Sequence, residues 1–279
     1  MKVVQVFAYL LLLFTLTQVL GFYAGTFITQ DAKGNQVIQG LQVVSQPSEP
    51  ASVGYLFFYV LLGAAFMYLL VKYYKGEFLF MLIEFGVVSF ASSIVFYSLI
   101  KPFLSDTLLS IAISVALGLA LGLLKAALPQ LKNFAAVMAT AGAGAVFGFS
   151  LTFYMGLFFM VLLSIYDYIA VFKTKHMVTM AKTLSKREMS FMVTSRQKTE
   201  KGEIRLELGT GDMLMPVILE TSGFQISPAY AAVVFLASVF SLFVLFVLLT
   251  RKKAVLPALP IIAACNFIFL GAAKLLGMI

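Results

Sequence analysis

Long apolar runs dominate this sequence and restrict what it can fold into. A helix needs roughly 20 residues to cross about 30 Å of hydrocarbon at about 1.5 Å per residue. Nine runs approach or exceed this length, and they cover residues 3–28, 53–71, 78–100, 107–124, 134–149, 151–172, 208–224, 229–250 and 254–276. Only 11% of the 279 residues are charged, whereas soluble domains are roughly 25% charged. The sequence therefore predicts an all-α polytopic membrane protein with nine transmembrane helices.

The first run also permits a different interpretation, a cleaved secretory signal. Lys2 precedes it, and Gly21 and Gly25 supply small residues for cleavage. The run is longer than the roughly 7–15 apolar residues of a signal core, so an uncleaved spanning helix is the preferred prediction. The boundary between the fifth and sixth runs, near Phe149 and Ser150, is the least defined because no charge marks it.

The distribution of basic residues predicts the orientation of the chain. With nine spans, 17 of the 20 Lys and Arg residues fall on the side of the N-terminus and three fall on the opposite side. Basic residues accumulate in cytoplasmic loops, so the N-terminus is predicted to be cytoplasmic and the C-terminus to be outside. The net charge of +8 is then an orientation signal, and no nucleic-acid partner is predicted.

One hydrophilic segment, residues 173–207, has room for structure of its own on the cytoplasmic side. Residues 190–194 and 203–208 have the composition and alternation of short strands, with a turn at residues 199–202 between them. This pattern predicts a small β-hairpin between the sixth and seventh helices. A disordered basic loop is the alternative interpretation.

Four acidic residues lie inside apolar runs, where an Asp at a helix centre costs about 2.5–3.5 kcal/mol on insertion scales. Each is therefore a candidate functional residue. Glu84 lies in the third run and has two interpretations, a functional carboxylate or one that faces an aqueous cavity or the membrane border. Glu220 is predicted to be interfacial. The other two are Asp167 and Asp212, in the sixth and seventh runs.

Asp167 and Asp212 are predicted to lie at one depth. Asp167 is six residues before Lys173 and Asp212 is seven after Arg205, which places both roughly 9 to 11 Å inside the cytoplasmic border. Consecutive antiparallel helices are usually neighbours, so the two carboxyl groups can face each other and share a proton. Such a pair fits an aspartic protease, in which one Asp activates water and the other donates a proton. A proton or cation pathway uses the same pair, and spacing alone leaves both functions open.

Short motifs around these residues favour the protease. The dipeptide Tyr166-Asp167, the GxGD motif at residues 209–212 and the sequence Pro-Ala-Leu at residues 257–259 occur in this order in the last four spans. In this combination they resemble the presenilin and signal peptide peptidase family of intramembrane aspartic proteases. The resemblance covers essentially the whole chain, and this compact sequence is most similar to an archaeal presenilin homologue.

The resemblance implies a presenilin-like fold and an aspartic endopeptidase that cleaves single-span membrane protein segments. It implies one membrane-embedded protease domain over residues 1–279, with helices 1–6 up to about residue 172 and helices 7–9 from residue 208. Asp167 and Asp212 would be the catalytic pair, in a multi-pass protein of a prokaryotic cell membrane. The residues implied to line the active site or bind substrate are Tyr166, Gly209, Thr210, Gly211, Pro257, Ala258 and Leu259.

Elementary chemistry agrees with these assignments. Glycines next to Asp212 permit close backbone approach, and as weak helix formers they place the start of the seventh helix there. Pro257, in the first turns of the ninth span, removes a backbone donor and frees a carbonyl for an extended substrate. The strand-like segment before the seventh span is predicted to pair with unwound substrate as an added strand.

Two features depart from a simple family assignment. Thr210 stands where many family members have an apolar side chain, so the substrate specificity of those members is not carried over to this chain. Pro216, four residues after Asp212, resembles the signal peptide peptidase branch, whereas the predicted orientation is that of presenilins.

Other catalytic chemistries lack the necessary residues. His176 is the only histidine and Cys265 the only cysteine, which excludes an HExxH zinc site. His176, at a helix exit among lysines, is interpreted as a solvated or headgroup-facing side chain rather than as the base of a Ser or Cys nucleophile. Cys265 is interpreted as a packing residue, and no metal or cofactor is expected. The predicted partners are transmembrane substrates and the lipid bilayer; a homo-oligomer is left open and no accessory subunit is evident.

Glycines inside the spans are interpreted as helix-packing positions. Gly142, Gly144 and Gly148 superficially suggest a nucleotide-binding loop, but no strand precedes them. Gly118 and Gly122 in the fourth span have the same small-residue character, which lets helices approach closely in a membrane.

Overall fold

A computed structural model describes residues 2–44, 46–74, 76–173, 180–181, 183–185, 187–199, 202–252 and 256–279. The nine apolar runs form helices, which are α1 Lys2–Asp31, α2 Pro50–Tyr73, α3 Phe78–Ile100, α4 Thr107–Ala127, α5 Lys132–Ser150, α6 Phe153–Tyr168, α7 Thr210–Phe224, α8 Pro228–Lys252 and α9 Ala258–Leu275. Eight of them are long and apolar enough to cross a membrane, and α7 is shorter, at 15 residues. The all-α membrane fold is confirmed.

Short elements connect the helices. A four-residue helix, Gln36–Gln39, lies between α1 and α2, and 3-10 turns lie at Lys101–Phe103 and Pro129–Leu131. A π-helical turn, Ile169–Lys173, continues α6. The uncertain boundary between the fifth and sixth runs is now defined, because α5 ends at Ser150 and the next residue is extended.

The predicted β-hairpin is present. Strands β1 (Met192–Thr199) and β2 (Gly202–Gly209) pair antiparallel, with Met192 opposite Gly209. The first strand begins two residues later than predicted because the backbone N–H of Ser190 donates to Glu84 on α3 at 2.5 Å instead of to a strand. Among the predicted positions, the turn residues Glu200 and Lys201, the single histidine His176 and the start of the ninth run at Ala254 lie outside the described residues.

Helix α7 occupies the centre of the bundle. It contacts α1, α5, α6, α8 and α9, and β2 runs directly into its first residue. Five of its apolar side chains are fully buried, namely Met213, Met215, Val217, Ile218 and Leu219. The surrounding helices bury most of α7, while Asp212 in its first turn remains partly exposed.

Glycines allow α5 to approach its neighbours. A Cβ atom on Gly142 would lie 2.7 Å from the Ala91 carbonyl carbon of α3, and one on Gly144 would lie 2.7 Å from the Cβ of Val217 on α7. Gly148 meets α7 in the same way, while Gly118 and Gly122 meet α3. Their interpretation as helix-packing positions is confirmed.

Candidate active site

Asp167 lies near the C-terminal end of α6 on its buried face. Its side chain is 4% exposed, and the backbone N–H of Leu259 interacts with its carboxyl group. Its Oδ2 atom has no hydrogen-bond partner within the described part of the chain. The helix changes to a π-helical turn two residues later, at Ile169. Asp167 therefore offers an unpartnered oxygen inside an apolar bundle.

Asp212 is the third residue of α7. Gly209 is the N-cap, with an extended backbone, and its N–H donates to the Asp212 carboxyl group. An acidic side chain at the third position commonly reaches back to the N-cap in this way. The seventh helix thus begins at the GxGD motif, as predicted, and its first turn holds the Asp212 carboxyl group in place.

The two carboxyl groups lie on neighbouring helices, α6 and α7. These helices pack against each other, and Asp167 and Asp212 interact electrostatically. Asp167 is buried, whereas Asp212 is only partly buried. The pair therefore combines an apolar environment with access from one side, which suits the activation of water.

The Pro-Ala-Leu sequence lies beside Asp167. Pro257 is the N-cap of α9 with an extended backbone, and the helix begins at Ala258. All three side chains are buried. The first N–H groups of a helix have no intrahelical partner, and one of them, that of Leu259, is directed at Asp167. Pro257 therefore lies one residue before the first residue of the helix. The prediction that it lies within the first turns is wrong by one residue.

The remaining predicted residues surround Asp212. A Cβ atom on Gly209 would lie 3.1 Å from Asp212 Oδ2, so a larger residue there would crowd the Asp212 carboxyl group. A Cβ atom on Gly211 would meet no protein atom within 4 Å, so a role for Gly211 in close approach to substrate stays a prediction. Thr210 donates from its backbone N–H and from Oγ1 to the Phe191 carbonyl oxygen, each at 3.1 Å. Tyr166 is half-buried next to Asp167.

Comparisons with known proteins place the chain in a family. Residues 13–277 match the family described as signal-peptide peptidase, presenilin aspartyl protease. The chain belongs to this family. It is an integral, multi-pass membrane protein and an intramembrane aspartic endopeptidase. No curated protein sequence in the comparison matches it.

Two solved structures share the fold of this protease. Both are of a presenilin-family intramembrane aspartate protease, one in space group C222 and one in P2. The first is 24% identical with a TM-score of 0.67 and covers 96% of this chain and 99% of its own. The second is 25% identical with a TM-score of 0.63, and the match covers 95% of this chain and 96% of the other chain. The presenilin-like fold is therefore confirmed over nearly the full length of both chains.

Glu84 of the protease forms a buried anchor. Its carboxylate forms an ion pair with Lys125 of α4 and accepts the Ser190 N–H at 2.5 Å. Phe191, the next residue, accepts the two hydrogen bonds from Thr210. Glu84 thus fixes the segment to which the first turn of α7 is docked. It is buried, so it does not extend to the membrane border, but it does line a cavity of about 320 Å³ together with Lys125, as one of its two interpretations predicted. Sequence reasoning missed this role because the contacts join distant parts of the chain.

A second ion pair involves a lysine that had been counted as a loop charge. Lys132, at the start of α5, is 4% exposed and lies 3.2 Å from Glu188. Arg196 of β1 lies 3.1 Å from the other oxygen of Glu188. Burial raises the pKa of Glu188, but the attraction of Lys132 and Arg196 outweighs burial and lowers the pKa below its ordinary value. The hairpin is therefore tied to the bundle by charge.

Glu220 lies inside the protease, and the prediction that it is interfacial is wrong. Its side chain is 1% exposed, on α7 between α1 and α8. Depth along the helix had suggested the membrane interface, but other helices bury α7 even near its C-terminal end. Cys265 is buried in α9, as its interpretation as a packing residue requires.

Proposed function

We propose that Asp167 and Asp212 form the catalytic pair of this protease and that it cleaves peptide bonds within single-span membrane protein segments. One observation carries the proposal: two carboxyl groups on adjacent helices interact electrostatically within the bundle. Burying two such groups is costly, so a pair without a function would be a liability.

The chemistry follows from the pair. One carboxylate takes a proton from water, and the resulting nucleophile attacks the peptide carbonyl carbon. The protonated partner donates to the developing oxyanion, and collapse of the intermediate breaks the C–N bond, with the amine leaving as it receives a proton. The Asp167 Oδ2 atom, which has no partner among the described residues, offers an acceptor for the water. One water is consumed, and an acid and an amine are produced.

A substrate helix hides its carbonyl groups in internal hydrogen bonds, so it must unwind before water can attack. Strand β2 ends at Gly209, three residues before Asp212, and pairs with β1 on one side. An unwound substrate strand added along β2 would lead directly to the catalytic pair. On the other side of the pair, the residues at the start of α9 (Pro257, Ala258 and Leu259) would contact the extended substrate.

The proposed orientation places this chemistry near the cytoplasm. The excess of Lys and Arg on the N-terminal side supports a cytoplasmic N-terminus and an external C-terminus. We further propose that the chain acts as one membrane-embedded domain in a prokaryotic cell membrane. Water would reach Asp212 from the cytoplasmic side, where the hairpin lies.

The direct test uses purified protein in liposomes with a tagged single-span substrate. Asp167→Asn and Asp212→Asn should each lower turnover by at least about 100-fold, because each removes one acid–base partner. Asp106→Asn is the matched control: Asp106 caps α4 and lies outside the candidate site, and Asn caps helices equally well. Cleavage that survives in either dyad variant would contradict the assignment. Ion flux that depends on both residues, without cleavage of any substrate, would support the pathway function instead.

The strand-addition step has its own test. Deleting residues 203–207 should abolish cleavage while thermal unfolding in detergent still shows a cooperative transition. Unchanged turnover in a folded deletion variant would reject strand addition and leave the catalytic assignment intact.

A further inference from the structure

The outer edge of β1 is paired with a side chain of the bundle. The backbone N–H of Thr194 in β1 donates to Asn133 Oδ1 of α5 at 2.9 Å, and the Thr194 carbonyl oxygen accepts from Asn133 Nδ2 at 2.8 Å. In an antiparallel pair, residues that bond the partner strand alternate with residues that do not, so both Thr194 groups point away from β2. The Asn133 amide therefore takes the place beside β1 that a third strand would occupy.

Further side chains from two helices cover this outer edge of β1. Lys132, the residue before Asn133, donates from Nζ to Thr194 Oγ1 at 2.9 Å. Three residues along the strand, Gln197 Nε2 donates to Gln5 Oε1 of α1 at 3.2 Å. Thr194 is only 7% exposed. Proteins commonly cover strand edges, because an open edge pairs readily with another extended chain.

The outer edge of β2 is the other edge of the hairpin. Thr194 lies opposite Glu207, so the backbone N–H and C=O of Glu207 point away from β1, as do those of Arg205 two residues earlier. No hydrogen bond joins these four groups to any residue in the described part of the chain. Glu207 is five residues before Asp212. The edge that stays unpaired among the described residues therefore belongs to the strand that leads into α7.

A groove of about 450 Å³ lies beside the outer edge of β1. It is lined by residues 194–197 of β1, by Asn133, and by Gln5, Val6 and Tyr9 of α1. An extended chain would therefore find room beside β1 and would lack only unpaired backbone groups to bond. A strand in this groove would lie two strand spacings, roughly 10 Å, from β2. Because β1 would stand between them, substrate in the groove would be held away from the strand that leads to Asp212.

We propose that Asn133 is a positioning residue, which directs extended substrate to β2 by occupying the outer edge of β1. The inference rests on the strand addition in the proposed function. Asparagine suits this role because its side-chain amide carries an acceptor oxygen and N–H donors, the groups that a peptide unit also offers. Asn133 acts through Thr194 rather than on the reacting atoms. Its loss opens a second edge at which bound substrate is not cleaved.

Photocrosslinking reports which edge the substrate occupies. The intact protease carries Asp167→Asn, so that bound substrate is not cut, and it is reconstituted in liposomes with a tagged single-span substrate. The substrate carries benzoylphenylalanine at successive positions around its measured cleavage site. With Asn133 present, crosslinks should map to residues 203–209 of β2. With Asn133→Leu, a side chain of similar size without hydrogen-bonding groups, crosslinks should also appear at residues 194–197 and at the start of α1.

Two substitutions at Asn133 and one control grade the effect. Crosslinking beside β1 should rise on the order of tenfold in Asn133→Leu, since each of the two freed backbone groups contributes a few-fold. Asn133→Asp keeps the acceptor and loses the donor, so it should give a smaller rise of a few-fold. Gln130→Leu is the matched control, because Gln130 is exposed and lies outside the groove lining. It should leave the crosslinking pattern unchanged.

A second substitution should close the edge again. Thr194→Pro removes the Thr194 N–H, and proline is tolerated on an edge strand where that group faces away from the partner strand. When Thr194→Pro is added to Asn133→Leu, crosslinks beside β1 should be lost and those at β2 should persist. A variant that is merely destabilised would not regain the original pattern in this way.

The outcomes separate this inference from the proposed function. Crosslinks at β2 alone in both Asn133 variants would overturn the role of Asn133 and leave strand addition intact. Fewer crosslinks at β2 with none beside β1, together with a lower Tm, would also overturn it, because Asn133 would then only stabilise the hairpin. Crosslinks at neither strand in any variant would contradict strand addition and this inference with it, while the cleavage assay would still decide the catalytic pair.

Discussion

The contact between α3 and α5 makes a quantitative prediction. In Gly142→Ala, the new Cβ atom would lie 2.7 Å from the Ala91 carbonyl carbon and closer still to its oxygen. Carbon atoms normally approach to about 3.5–4.0 Å, so the two helices must separate by about 1 Å. The obstacle is backbone, which cannot rotate away as a side chain can. Overpacking costs about 1–3 kcal/mol, and replacing a helical glycine returns about 0.5–1 kcal/mol.

Because the obstacle is rigid backbone, the upper end of this range applies, and about 3 kcal/mol less about 0.5–1 kcal/mol leaves a net loss of about 2 kcal/mol. This loss corresponds to a fall in Tm of about 4–8 °C at 2–4 °C per kcal/mol, measured by thermal unfolding in a mild detergent. Gly86→Ala is the matched control, since Gly86 is on α3 and a Cβ atom there would meet nothing within 4 Å. Its Tm should stay constant or rise. The reasoning would be refuted if both variants shifted Tm alike.

Further predictions concern the charges and the cap around the hairpin. Lys125→Met leaves Glu84 buried without its cation and should destabilise the protein by about 3–5 kcal/mol in thermal unfolding. Adding Glu84→Gln should recover part of this loss. If the effects of the two substitutions simply added, the coupling between Glu84 and Lys125 would be contradicted. Thr210→Val removes the hydrogen bond from Thr210 Oγ1 to the Phe191 carbonyl oxygen and should lower the free energy of unfolding by about 1 kcal/mol. An unchanged Tm would contradict this prediction. Because the pKa of Glu188 is lowered in the folded state, its stabilisation is present above the ordinary glutamate pKa and is lost as pH falls through the lowered value. Glu188→Gln should therefore flatten the acid limb of the Tm-versus-pH curve, and so should Lys132→Met; an unchanged acid limb in both would contradict it.

The extent to which the sequence predicts this structure depends on the range of the forces involved. The bilayer sets the length of eight of the nine predicted spans, so those helices and their approximate bounds could be predicted, whereas α7 is shorter, at 15 residues. The Asp167 and Asp212 pair was also predictable, because adjacent antiparallel helices bring equal depths together. The position of α7 inside the bundle was not predictable, since it depends on how nonadjacent helices pack, and this is why Glu220 was misplaced. The buried lysines Lys125 and Lys132 were counted as loop charges because their acidic partners come from distant segments.

Helix α2 is held to the rest of the bundle by few buried contacts, so it can move more easily than the other helices. Only 11% of its most apolar stretch is buried, against 72% for α5, and its main neighbour is α6, the helix that carries Asp167. In a bilayer, apolar side chains that leave a helix neighbour are met by equally apolar lipid chains, so separation costs little free energy. Segments with few buried contacts open at far lower free energy than the core. The structure is therefore stiff around Asp212, at the centre of the bundle, and more easily deformed on the side of Asp167 that faces α2 and lipid. A sideways displacement of α2 would change that side of the bundle without disturbing the packing of α5 against α7.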